Sequence, residues 1–165
     1  MLRTERLWLR NLCPADTIPI AAYRKDPDCA RYQRWETVSM EAVADFVSRF
    51  SGSVFLSEEE EQHYAFCCGE ELTGDLSVFY SLKDRCVTLG ITVAPEHQRK
   101  GYAREILAAV IAEIRRKYLG LDLVALIHPE NGPSIALFES LGFYRECYAP
   151  SIDSLVYVID GTAGA

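Results

Sequence analysis

Three basic residues and a glycine stand together in the segment Gln98-Arg99-Lys100-Gly101-Tyr102-Ala103-Arg104, between a run of alternating apolar residues and a long amphipathic stretch. The first turn of a helix leaves backbone N–H groups unpaired and carries roughly half a positive charge. A glycine there admits a ligand to the backbone, and Ala103 keeps the next close position small. With Arg99, Lys100 and Arg104 alongside, such a terminus can hold a phosphate or pyrophosphate; the same residues also fit a solvated turn carrying ordinary surface charge. No G-K-[ST] follows, which excludes a P-loop, and no G-x-G-x-x-G, which excludes a dinucleotide fingerprint.

Elements that would position this loop are legible on both sides. Residues 85–95 alternate, with Val87, Leu89, Ile91 and Val93 on one strand face and Thr88, Gly90 and Thr92 on the other. From Tyr102 to Tyr118 the period becomes helical, with Ile106, Leu107, Val110, Ile111 and Ile114 on one apolar face. Upstream, residues 6–12 read as a first strand and 18–26 as a short helix weakened by Pro19, followed by a loop over 26–39. Ser39 caps a predicted helix carrying Val43, Phe46, Val47 and Phe50. The charge run 57–62 reads as a solvated turn, and the strands 63–69, 72–81 and 85–95 as antiparallel hairpins. Downstream, the apolar run 121–127 predicts a strand buried on both faces, 134–142 a short helix, and 153–160 a last strand. No repeat or linker divides the chain. The expectation is a single α/β domain over 1–165 with a mixed, mostly antiparallel sheet flanked by helices.

The composition narrows the possibilities. At 165 residues, 49% of them hydrophobic, the chain can bury a core and is not a disordered one. A net charge of −7 argues against a nucleic-acid partner and fits a cationic or amine-bearing one better. The longest apolar stretches are short and interrupted by charge, so no membrane segment is expected, and the N-terminus has no apolar signal region. The six cysteines form no C-x-x-C pair and lie at no zinc spacing, so they are expected as reduced thiols, with no metal, in a cytoplasmic protein.

Two segments resemble the GNAT acetyltransferase superfamily. "VAPEHQRKGYA" is similar to its acetyl-CoA motif, Q/R-x-x-G-x-G/A after a strand, with Gln98, Gly101 and Ala103 at the fixed positions. "ENGPSIALFESLGF" is similar to its N-x-x-[AS]…G-F segment, with Asn131, Ser134, Gly142 and Phe143 in place. "TERLWLRNL" and "YRKDPDCARYQRWE" look like the branch of ribosomal-protein N-terminal acetyltransferases.

The resemblance implies acetyl-CoA as cosubstrate. It places the pantetheine arm on the strand end Ile91, Thr92 and Val93, and the pyrophosphate on the amides of Arg99, Lys100, Gly101, Tyr102, Ala103 and Arg104. Asn131 would lie further along the arm, and Ser134 would face the sulfur. Phe138 is carried over to the same site, where many members have a tyrosine that protonates the departing thiolate. Phenylalanine cannot donate, so Ser134 becomes the candidate acid, although a helix N-cap or a core-edge serine fits it as well. Tyr32, Trp35 and Glu36 would line the acceptor pocket; for Tyr32 and Trp35, capping the core is the competing role. No base stands out among Glu36, Glu70, Glu71, His63, His97 and His128. The implied reaction is acetyl transfer to a primary amine, on a small molecule or a protein N-terminus, by a monomer or homodimer. A catalytically inactive acyl-CoA-binding module is the alternative that Phe138 permits, and an interaction domain with a vestigial loop is a third.

Overall fold

The computed structural model describes residues 1–33, 35 and 39–161. Eight strands form one sheet: β1 (Leu2–Arg3), β2 (Trp8–Asn11), β3 (Glu61–Cys68), β4 (Glu71–Ser81), β5 (Cys86–Val93), β6 (Asp122–Ile127), β7 (Tyr144–Ala149) and β8 (Ser154–Ile159). Their spatial order is β1-β2-β3-β4-β5-β6-β8-β7. Every neighbouring pair is antiparallel except β5 and β6. The helices are α1 (Thr17–Lys25), α2 (Pro27–Ala30), α3 (Met40–Phe50), α4 (Tyr102–Lys117) and α5 (Gly132–Ser140). The expected mixed, mostly antiparallel α/β architecture is therefore the observed one.

Alternation along the strands sends the core to both faces of the sheet. On β3, Tyr64 and Phe66 join Leu76, Val78 and Leu89 beneath Ile106, Leu107, Val110 and Ile114 of α4. The opposite face carries Ala65 and Cys67 against Ile20 and Tyr23 of α1 and Val43 and Val47 of α3. Pro19 does not break α1, because it falls in the first turn, where a missing N–H costs no intrahelical bond. Arg10 on β2 donates to both carboxylate oxygens of the buried Asp16 at 2.6 and 2.7 Å, fixing the entry to α1. Ser39 caps α3 as expected, accepting from the Ala42 amide.

Several expectations are corrected. β6 is not buried on both faces: Leu123, Ala125 and Ile127 point into the core, whereas Leu126 is 45% exposed. Its second face meets a cleft rather than a helix. β7 and the two-residue β1 were not anticipated, because β7 is a largely exposed edge strand without alternating apolar residues. The strand expected over 6–12 is β2 and starts at Trp8. In the charge run, Glu59 is more than solvated: its carboxylate accepts from the amides of Leu82 (2.7 Å) and Lys83 (3.3 Å) and closes the β4–β5 turn. All six cysteines are free thiols; Cys67 is buried and Cys147 exposed. Among the described residues no helix is long and apolar enough to cross a membrane.

One glycine controls how β4 meets β5. A Cβ at Gly74 would lie 2.1 Å from the Thr92 carbonyl oxygen and 2.5 Å from the Phe66 ring. The register shift between Phe66 and Cys67 falls beside it. Backbone cannot yield as a side-chain tip can. Gly74→Ala should therefore cost about 3 kcal/mol, at the upper end of overpacking effects, read as a lowered urea midpoint at unchanged slope.

Candidate active site

β5 is hydrogen-bonded to β4 along its whole length, Cys86–Val93 against Gly74–Ser81. Its pairing with β6 covers only Cys86, Val87 and Thr88 against Asp122, Leu123 and Val124. Beyond Thr88 the two strands part, and one edge of β5 is left open. An extended ligand that carries amide groups can use such an edge as an added strand would.

A cleft of about 460 Å³ lies along that edge. Its walls hold Ile91, Thr92 and Val93, the loop residues Gln98, Arg99, Gly101, Tyr102, Ala103 and Arg104, and Asn131 and Ser134 on α5. Eleven of the residues expected at the donor site are thus brought together. α4 begins at Tyr102 with Gly101 at its N-cap in the left-handed region, φ +80°. The first intrahelical bond runs from the Glu105 amide to the Gly101 carbonyl at 3.1 Å, so the amides of Tyr102, Ala103 and Arg104 precede it. Arg99 also has a left-handed backbone, φ +59°.

The acidic group nearest this terminus is neutralised. Arg6 Nε donates to Glu105 at 2.7 Å, and the Arg6 amide and the Thr4 hydroxyl donate to the same carboxylate at 2.9 and 2.5 Å. Partial burial works against the charge, but these donors hold the Glu105 carboxyl below the usual range. Arg6 also donates to the Lys100 carbonyl at 3.0 Å and lies 4.8 Å from the centre of the Tyr102 ring. It pins the basic loop to the β1–β2 turn, a link that local sequence pattern could not reveal across nearly a hundred residues.

Other expected residues fall elsewhere. Phe138 does not face the cleft: it is 3% exposed and packs edge-to-face on Phe143 at 5.1 Å, as part of the main core. An apolar ring nearly two turns into α5 is drawn into the main core, so its assignment to the cofactor site is withdrawn. The exposed Lys100 side chain does not line the cleft. The N-cap of α5 is Asn131, whose side chain accepts from the Ser134 amide at 3.2 Å, so Ser134 is not the cap. Glu70 and Glu71 are exposed at the β3–β4 turn and line neither cleft, although Glu71 lies 3.3 Å from the ring of His97, which is buried and lines the first. Glu36 lies outside the described residues.

A second cleft, about 680 Å³, continues from the first on the α1–α3 side of the sheet. Tyr32 and Gln33 line both, and the lining passes from Gly90 in the second to Ile91 in the first. Trp35 lines the second, with its indole N–H buried and unpartnered among the described residues. Tyr32 stacks on His128 at 5.0 Å between ring centres.

Sequence reasoning left His63 unassigned, yet it is the titratable centre of this cleft. Its ring packs on Phe46 and Phe50, with Nε2 3.1 Å from Glu61 and Nδ1 3.5 Å from Asp75. Tyr23 donates a short hydrogen bond to Asp75 from beneath. Glu61 and His63 share a strand face at i and i+2, a signal the sequence did carry. Asp75 reaches them diagonally, from two residues before Ser77, the partner of His63. Burial alone would lower the imidazole pKa, but the two carboxylates outweigh it and raise it. A raised native pKa stabilises the fold fully below the unfolded value of about 6.5 and loses that contribution as pH climbs through the native value. The melting-temperature gap between wild type and His63→Gln should accordingly be widest in mild acid and shrink as the pH is raised through neutrality.

The geometry has counterparts in known proteins. The model of the acetyltransferase (GNAT) domain matches residues 6–144. The uncharacterised N-acetyltransferase YoaA of Bacillus subtilis is 28% identical over 156 residues, spanning 88% of this chain and 84% of that protein. The ribosomal protein bS18-alanine N-acetyltransferase of Escherichia coli K12 is 29% identical over 111 residues, 63% of this chain and 73% of the enzyme. Among solved structures, a GNAT-family acetyltransferase from Bacillus anthracis superposes with a TM-score of 0.83 at 22% identity, covering 97% and 98% of the two chains. The ribosomal L7/L12 α-N-protein acetyltransferase in complex with coenzyme A gives 0.76 at 15% identity, covering 95% of each.

Proposed function

We propose that this chain, which belongs to the acetyltransferase (GNAT) family and is an N-acetyltransferase, carries the acetyl group of acetyl-CoA to a primary amine of a small molecule or a protein N-terminus. The observation that carries this reading is the pair of clefts meeting at β5, one built of backbone and basic loop, the other of side chains. The donor set of the first cleft suits coenzyme A. The edge at Ile91, Thr92 and Val93 offers peptide groups to the amides of the pantetheine arm, the Val93 carbonyl already accepting from the Gln98 side chain at 3.2 Å. Arg99, Arg104 and the first-turn amides of α4 offer positive charge to a pyrophosphate. Asn131, capping α5 with its side-chain oxygen, keeps its amide N–H groups for the arm.

The acetyl donor supplies an activated thioester. The amine nitrogen bonds to its carbonyl carbon, the C–S bond breaks, and the thiolate takes a proton. Holding both partners at the junction of the clefts supplies much of the rate. A backbone N–H near Val93 can stabilise the charge that develops on the carbonyl oxygen. The amine's proton goes to a titratable group of the second cleft, and that group is His63 in its neutral form, with Glu61 and Asp75 stabilising the imidazolium that results. Ser134 lines the first cleft and Tyr32 lines both, and each carries a hydroxyl that can protonate the thiolate in place of a tyrosine at position 138.

Thiol release with a panel of amines tests the reading directly. Binding of acetyl-CoA without release for any amine would replace it with an acyl-CoA-binding module. Gly101→Val should weaken acetyl-CoA binding about 10-fold or more, because a β-branched residue at φ +80° carries roughly 1–3 kcal/mol of backbone strain that distorts the loop; unchanged affinity by calorimetry would remove the pyrophosphate from this loop.

Cysteine thiols have a reference pKa of about 8.5, so the leaving thiolate needs little help. Ser134→Ala is therefore expected to lower kcat at or below the low end of the roughly 100- to 10,000-fold range for general acid catalysis. Phe138→Tyr should not restore the loss, since its hydroxyl would enter the core beside Phe143; a rescue in steady-state rates would return residue 138 to the site.

A further inference from the structure

We infer that the acceptor carries a carboxylate besides its amine, and that Arg24 is the group that binds it. This rests on the acetyl-transfer reading and deepens it. Although the chain is acidic, three arginines line the second cleft against two carboxylates, Glu61 and Asp153. Both carboxylates are engaged, Glu61 with His63 at 3.1 Å and Asp153 with His128 at 3.4 Å.

Arg24 is in a different position. It is 8% exposed, its Nε is buried without a hydrogen-bond partner, and among the described residues no carboxylate forms an ion pair with it. Its guanidinium lies 3.9 Å from the centre of the Phe46 ring and 4.9 Å from that of Trp35. The two aromatic faces compensate part of the charge and hold the planar fork still, but they accept none of its hydrogen bonds in the plane. Leaving a buried charge unsatisfied is costly unless a ligand completes it. The ligand that matches a fixed guanidinium fork is a planar carboxylate, which it can bind through two parallel hydrogen bonds. Arg31 and Arg49, exposed on the same cleft, add attraction of the same sign. An acceptor of cations alone, such as a polyamine, would meet repulsion here.

The test uses matched acceptors with acetyl-CoA and the full chain. One set is an α-amino acid, its carboxamide and the amine lacking the carboxyl group. The other is peptides with a free N-terminus and an acidic or amidated second residue. Wild type should favour the carboxylate member of a pair in kcat/KM, and the set in which this occurs identifies a free amino acid or an acidic peptide as the source. Arg24→Gln should collapse that preference by about 10- to 100-fold, the range for a hydrogen bond to a charged group. Arg24→Lys, which keeps the charge and loses the fork, should retain part of it. Equal rates for acids and amides in wild type, which require no variant, would overturn the inference, as would equal losses for both members in Arg24→Gln. If no amine is acetylated, the catalytic reading fails while the subsite is still read by calorimetry with an N-acetylated amino acid. Binding to wild type that Arg24→Gln abolishes upholds the subsite; no binding, or equal binding to both, removes it.

Discussion

The parting of β5 from β6 after Thr88 is the constraint on which the rest of the structure depends. A strand normally spends its backbone polar groups on two neighbours, and an unpaired edge in an interior is costly. Here β5 is held to β4 through Val93, and the Ala94 amide extends that attachment by donating to the Thr73 carbonyl at 2.9 Å. Two glycines permit the close approach. A Cβ at Gly74 would strike the Thr92 carbonyl, and one at Gly90 would lie 2.4 Å from the Ser77 hydroxyl oxygen. β6 instead follows β8 over Leu123–Ile127. The free edge of β5 therefore arises from two strands each satisfied by a different partner, and the loop from Ala94 to Gly101 leads from its end into α4.

Charge is distributed to suit that opening. The net charge of −7 describes the outer surface and misleads about the clefts. At the start of α4 the one first-turn acid, Glu105, is consumed by Arg6 and Thr4, so the helix terminus faces the first cleft with its positive end undiminished. In the second cleft the carboxylates are taken up by histidines, while Arg24 is held between aromatic rings. Both clefts thus present cationic character in an acidic protein. Net charge alone, which fits a cationic or amine-bearing partner, does not reveal these local concentrations of basic side chains.

How much of this was legible in the sequence follows from what each part is made of. The strand–loop–helix at 85–118 was readable because alternation, then a 3.6-residue period, then a glycine between them are all local signals. The same holds for the hairpins and for Ser39 at the start of α3. β6 was misread because a continuous apolar run does not reveal that one face borders a cleft, and Leu126 is the residue that pays attention to that face. Phe138 was misplaced for a related reason: a motif position says which turn of a helix a residue occupies, but the ring's contact with Phe143 depends on how α5 lies on the sheet. Arg6 with Glu105, and His63 with Asp75, depend on strand register and helix placement, which no local pattern encodes.

The two clefts therefore differ in how they can be recognised as well as in what lines them. Recognition by backbone requires small residues and positive φ at a few fixed spacings, so Gly101 and Ala103 mark the first cleft in sequence. Recognition by side chains asks for no such spacing. The second cleft draws Arg24 from α1, Phe46 and Arg49 from α3, Glu61 and His63 from β3, Ser77 from β4 and Leu126 from β6. Apart from Ser77, which pairs with Gly90, these residues lie outside the β4–β5 ladder that holds the open edge of β5 in place. On the proposed reading, a donor site fixed by the backbone beside an acceptor site assembled from separate elements allows the acceptor to be altered while the donor's geometry stays the same.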